Sequence, residues 1–132
     1  MVEGLTTLGS VFGPEETMNR FEAEVRANGL TVFCHIDHAA GAASAGLSLR
    51  ATDLLIFGTA KAGTPLMEAN QTIAIDLPVK ALVWQDESGA TWLSYYQPTW
   101  LAQHHSLGED VRAAIGAMAG SLDQLARAAV GS

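Results

Sequence analysis

Lys61 and Lys80 are the only two lysines of the chain. Lys61 stands in a stretch, Leu54 to Met67 (LLIFGTAKAGTPLM), that reads as the end of a strand followed by the start of a helix. Thr64 can cap that helix through its hydroxyl, and Pro65 suits the first helical position because it has no N–H to leave unsatisfied. The amides of Leu66 and Met67 would then point out of the helix start, an arrangement that attracts anions, and Lys61 would add a full positive charge. The chemistry available is the capture of a phosphate, a carboxylate or another small anion. A nucleotide-binding phosphate loop needs its lysine directly after the last glycine, followed by Ser or Thr on the metal. Here Lys61 precedes Gly63, so the stretch is not that motif. A purely structural strand-to-helix turn is the other reading of the same residues.

A second group of chemically capable residues is CHIDH, with Cys34, His35, Asp37 and His38. In a strand, His35 and His38 face opposite sides and cannot share a metal, and Cys34 and His38 lie too far apart along an extended chain. No metal site is expected there. His38, at the strand end, could act alone as a polar contact or as a general acid or base, because histidine titrates near neutral pH. The plainer reading is a histidine held by one backbone hydrogen bond. His104 and His105 are neighbours on a short helix and diverge by about 100°, so they do not clamp a metal either. Cys34 lies in an apolar run and is expected to be a buried, inert thiol. Ser94 and Ser106 lie in no nucleophile turn of the G-x-S-x-G kind.

The elements that must position these groups follow from punctuation and periodicity. VEGLTTLGS reads as a weak first strand. Pro14, Glu15, Glu16 and Gly29 frame a helix whose Met18, Phe21 and Val25 form one apolar face. LTVFCHIDH reads as a strand with Val32, Cys34, Ile36 and His38 on one side. AAGAASAG is a short helix or a close-packed loop, and DLLIFG is a continuous apolar strand. TPLMEANQTIAI reads as a short helix entered at Thr64. PVKALVWQD and ATWLSYYQ flank ESG as a hairpin. PTWLAQHH opens a short helix at Pro98. Val111, Ile115, Met118, Leu122 and Leu125 mark a long amphipathic helix, on which Gly116 and Gly120 would permit close packing against a neighbour. The order is strand, helix, four strands and a helix, an α+β two-layer sandwich with an antiparallel sheet of about five strands and two main helices. Trp84, Trp92, Tyr95, Tyr96 and Trp100 crowd around the hairpin, where they can line a pocket, fill the core or meet a second subunit.

The 132 residues make one domain. Asp and Glu number 14 against 7 Lys and Arg, a formal net charge of −7. That field repels phosphate-rich partners, so neither nucleic acid nor an anionic membrane surface is expected as a partner. Hydrophobic residues reach 48% and charged ones only 16%, so part of the apolar surplus is expected to be buried between the subunits of a homodimer. One cysteine forbids an internal disulfide. The N-terminal stretch lacks the basic and apolar regions of a signal peptide, and no run approaches 18 uninterrupted apolar residues. A cytoplasmic location is the expectation, and no cofactor is indicated.

FCHIDHAAGAASAGLSLRATDLLIFGTAKAGTPLM followed by AIDLPVKALVWQDESGATWLSYYQP resembles the bacterial and archaeal family called domain of unknown function 302. The likeness runs from about Pro14 to the last helix and is most specific at I-D-H-A, F-G-N-P-K-x-G-T-P-L-M and D-L-P-x-K-x-L-V-W. The resemblance implies a strand, helix, four strands, helix arrangement similar to the TATA-box-binding-protein fold. It implies no defined activity, and nucleic-acid binding is not borrowed with the fold. One departure stands out: Thr59-Ala60 occupies the place of the family's Asn-Pro.

Three functions remain open on these residues. The first is a domain binding a small polar or anionic molecule through Lys61, Thr64 and the amides of Leu66 and Met67, with His38 as a nearby polar contact. The second is an enzyme using the same pocket, with His38 as general acid or base. The third is a structural or protein-interaction module without a ligand.

Overall fold

The computed structural model describes residues 2–132. The elements run β1 (Leu5–Ser10), α1 (Pro14–Ala27), β2 (Thr31–Asp37), α2 (His38–Ser44), β3 (Thr52–Gly58), α3 (Ala60–Ala69), a 3₁₀ segment (Gln71–Asp76), β4 (Val79–Gln85), β5 (Thr91–Tyr96), α4 (Pro98–His104), a second 3₁₀ turn (Glu109–Val111) and α5 (Arg112–Val130). The five strands form one sheet in the order β1-β5-β4-β3-β2, and every neighbouring pair is antiparallel. This is the α+β arrangement that the chain order implies.

α1 forms where its punctuation places it. Pro14 opens it, Glu15 and Glu16 sit in the first turn, and Thr17, Met18, Phe21 and Val25 are buried. α5 buries Leu122, Leu125, Ala126, Ala129 and Val130 beside it, and ends at Gly131 in the left-handed region. There the amides of Gly131 and Ser132 both donate to the Arg127 carbonyl. Both helices cover the sheet face that carries Leu55, Phe57, Ala81, Val83, Leu93 and Tyr95. The rings of Phe21 and Phe57 meet edge to face at 5.2 Å, which joins α1 to β3. A second apolar cluster, Leu66, Ile73, Leu101, Val111 and Ile115, ties α3, α4 and the start of α5 together.

Three local expectations change. The pairing register of β2 shifts between Val32 and Cys34. Val32 stands opposite the buried Phe57, whereas Cys34 and Ile36 stand opposite Ile56 and Leu54, on the face that α1 and α5 leave open. The irregularity breaks the period of two, so Val32 does not share a side with Cys34 and Ile36. Cys34 is exposed, not buried, because β2 is an edge strand and the thiol faces away from the helices. Gly116 and Gly120 are exposed, and a Cβ added at either would meet nothing within 4 Å. They lie off the buried stripe of α5 and pack against no neighbour within the chain.

The β4–β5 hairpin is closed by Asp86. Its Oδ1 accepts from the Ser88 amide (2.9 Å), the Ser88 hydroxyl (2.8 Å) and the Ala90 amide (3.0 Å), while its Oδ2 accepts from the Trp92 indole N–H at 2.8 Å. Those bonds to the ionised form, led by Trp92 and Ser88, lower the carboxyl to about 2. Trp92 in turn stacks on Trp84 at 6.2 Å, and Tyr96 stacks on Trp100 at 5.2 Å. These aromatics consolidate the hairpin and its junction with α4.

Candidate functional site

β3 ends at Gly58, whose φ of 142° favours glycine, and the chain turns directly into α3. Thr59 is the cap: its Oγ1 accepts from the Ala62 amide at 3.1 Å. The helix therefore begins five residues before Pro65, which lies inside it. Thr64 does not cap. Its hydroxyl donates to the Ala60 carbonyl at 2.6 Å, within the helix. The amides of Leu66 and Met67 belong to the helix body and face no ligand space. Leu66 is 1% exposed in the second apolar cluster, and Met67 packs against it. Thr59 and Ala60 occupy the N-cap and first helical positions, the two places where Asn and Pro are also favoured. The departure from the family pattern thus keeps a capping side chain and loses only the rigid φ of proline.

Lys61 and Thr59 border a cleft of about 400 Å³ between α3 and α5. Its floor and walls include Phe57, Leu77, Met118, Leu122 and Leu125, and its polar side chains are those of Thr59, Lys61 and Ser121. Lys61 has no ion-pair partner among the described residues. Lys80, by contrast, donates to the carbonyls of Asp76 and Pro78 at 3.3 and 3.2 Å. Lys61 is thus the cation of the cleft with its charge free to meet an anion.

His38 is not part of that cleft. It is the first residue of α2, after Asp37, whose Oδ1 accepts from the Ala40 amide at 2.9 Å. Asp37 pairs with Asp53 at one end of β3, whereas Lys61 follows Gly58 at the other. The intervening strand separates the two ends by about 17 Å. The structure brings His38 and Lys61 to opposite ends of the sheet. At His38's end the His35 ring lies between Glu22 (4.0 Å) and Asp53 (3.7 Å). Burial, then the neighbouring Asp37 charge, raises the Asp53 carboxyl, while His35 acts in the opposite direction. No cluster of three or more His, Cys, Asp or Glu among the described residues could hold a metal.

Sequence reasoning missed one linked group. The His105 Nε2 lies 2.6 Å from Asp76 Oδ2, and its Nδ1 lies 3.1 Å from the Thr72 hydroxyl. Asn70 adds a bond from its Nδ2 to the His105 carbonyl at 2.5 Å. Together they pin the 3₁₀ segment Gln71–Asp76 to the end of α4. His104, its neighbour, stacks instead on Trp100 at 4.7 Å. The pairing of Asp76 with His105 joins positions 29 apart through the tertiary fold, and no local pattern announces it.

The family model for the domain of unknown function DUF302 matches residues 6–125. The chain belongs to this family. A DUF302 crystal structure, that of an uncharacterized conserved protein from Bacillus stearothermophilus, superposes with a TM-score of 0.84 over 97% of this chain and 99% of that one. At 18% identity it speaks for the fold. Among curated proteins, the fluoride-specific ion channel FluC 1 of Brucella suis biovar 1 (strain 1330) is 48% identical over 115 residues, 87% of this chain and 45% of that protein. FluC 1 of Brucella abortus biovar 1 (strain 9-941) matches equally over 43% of its length. The DUF302 chain thus spans less than half the length of these relatives. No helix among its described residues is long and apolar enough to cross a membrane.

Proposed function

We propose that this DUF302 chain is a binding domain for a small molecule with an anionic group, held between α3 and α5 with Lys61 at the anion. The observation that carries the reading is the unpaired Lys61 on the border of an apolar cleft. A cation there keeps its charge for a ligand, and the apolar walls offer contact to the rest of the molecule. The contribution of Thr64, Leu66 and Met67 is to build α3; the groups offered to a ligand are Lys61 and Thr59. An acid–base role for His38 in the same pocket has no geometric support, since the two lie at opposite ends of the sheet.

The test is a thermal-shift screen of the purified protein against carboxylates, sugar phosphates, nucleotides and sulfur oxyanions, alongside Lys61→Ala. A ligand of the folded state raises the midpoint by mass action. A shift lost in Lys61→Ala supports the reading, and no shift with any anion sinks it.

The curated relatives suggest a setting. We read the matched segment in those longer proteins as a domain attached to the channel, with conduction in the remaining part, because a spanning segment must satisfy its backbone within a long helix or a closed barrel. Fluoride itself is a poor occupant of this cleft, since one small ion leaves its apolar walls wet. Sodium fluoride belongs in the screen for that reason. The single cysteine fits a cytoplasmic location, where thiols stay reduced.

A second reading, an interaction module that pairs with its own copy, is favoured by the sheet face opposite α1 and α5. Ile36, Leu54, Ile56, Leu82, Trp84 and Trp92 lie there half-buried. Lys80 shares that face through its pairing with Ile56, and no carboxylate lies opposite these residues in the register. Light scattering after gel filtration would show a dimer that Leu82→Glu dissociates. A monomer at high concentration would remove this reading.

A further inference from the structure

The cleft is shaped by omission. α3 contributes Ala62 and Gly63 to its wall, and α5 contributes Ala114 and Ala117. Protein interiors are normally packed to the density of organic crystals. Small residues facing one another from two helices leave the space that leucines would otherwise fill. Met118, the most adaptable apolar side chain, lines the same space.

The polar capacity of this space is small. Beyond Lys61 it offers the hydroxyls of Thr59 and Ser121, and the Thr59 oxygen already accepts from Ala62. A sugar phosphate or nucleotide carries many donors and acceptors, and each one buried without a partner weakens binding. A volume of about 400 Å³ lies within the range of small-molecule sites and well above the size of an inorganic anion.

We propose that the occupant is an amphipathic anion: a carboxylate or similar compact head on an unbranched hydrocarbon chain of medium length. The head meets Lys61, and the chain lies between α3 and α5 against Phe57, Leu77, Met118 and Leu125. This rests on the reading that Lys61 takes an anion, and it adds the chemical class of what the anion is attached to.

The chain and the head are separable in one experiment. The protein is titrated calorimetrically with butanoate, hexanoate, octanoate and decanoate, each below its aggregation concentration, and with the matching n-alkanols. Lys61→Ala and Ala117→Phe are titrated in parallel. The expected result is a Kd that tightens about fourfold per methylene until the cleft is full, the ratio given by the free energy of burying one methylene. Carboxylates should bind tighter than alkanols in the native protein. Lys61→Ala should erase that preference and keep the chain-length slope, while Ala117→Phe should abolish binding by filling the cleft. If Ala117→Phe fails to fold, the Met118 methyl resonance of the native protein replaces it, and octanoate should shift that signal.

Carboxylate binding that depends on Lys61 but not on chain length overturns the hydrocarbon assignment and leaves the anion reading standing. A chain-length slope with no carboxylate preference and no effect of Lys61→Ala overturns the anion reading, and the amphipathic anion with it. An unmoved Met118 methyl, or no binding by any member of the series, overturns the inference.

Discussion

The Nε2 of His105 lies 2.6 Å from the Oδ2 of Asp76, and this bond fastens the segment leading to Leu77 onto the end of α4. The same ring meets Thr72 through its other nitrogen. His105→Ala removes both contacts from a side chain that is 10% exposed. The expected loss is about 1.5–3 kcal/mol, the range for hydrogen bonds that include a charged partner. Urea unfolding checks it, read as a lower midpoint at unchanged slope. An unchanged midpoint would show that solvent replaces these bonds at no cost.

Thr59 as the cap of α3 gives a paired expectation. Thr59→Ala should cost about 1 kcal/mol, the usual loss of an N-cap side chain. Thr59→Asn with Ala60→Pro should hold or raise stability, because asparagine caps well and proline at the first helical position reduces the freedom of the unfolded chain, by about 0.4–1 kcal/mol where it fits. Thermal midpoints of the three proteins decide the matter. If Thr59→Ala is silent while Thr64→Ala is costly, the helix starts where Pro65 suggests.

Asp86 is expected to govern an acid transition. Its carboxyl is lowered from 3.8 to about 2 by its bonds to Trp92 and Ser88, so it contributes stability fully above the unfolded value and loses it as pH falls through the folded one. The midpoint of unfolding should therefore drop between about pH 4 and pH 2. Asp86→Asn should lower the midpoint at neutral pH and flatten that acid limb. A variant with the native slope across this window would remove Asp86 as its source.

Gly116 and Gly120 stand exposed on α5 with open space where a Cβ would be. Each replacement by alanine should stabilise the helix by about 0.5–1 kcal/mol, since glycine loses more backbone freedom in a helix. Destabilisation in either case, measured by thermal melting, would mean that a second molecule packs against that stripe.

Much of this architecture is legible in the residues. Pro14, Glu15, Glu16 and the spacing of Met18, Phe21 and Val25 define α1, and the turn around ESG defines the hairpin. Two features resist a local reading for different reasons. Thr59 and Thr64 are both capping residues, and Pro65 draws the helix start to the second. The choice is made by Gly58, which turns the chain at the end of β3. The displacement of Cys34 to the open face depends on how β2 pairs with β3, a property of two strands and not of one. The cleft is harder still, because it arises from small residues on two helices about fifty positions apart. Lys61 is offered by the sequence as a candidate cation, and its separation from His38 follows from the direction of β2 and β3.

The partner of β1 lies far along the chain. The hydroxyls of Thr7 and Ser94 meet at 2.8 Å across a sequence separation of 87. A ribosome adding about 5–20 residues each second would leave the first strand without its partner for several seconds. Throughout that time α5 has not yet been made, so Phe57 and Val83 have only α1 as cover. β1 is thus seated later than the strands that follow it, and the emerging domain must keep a half-covered sheet away from its neighbours until α5 arrives.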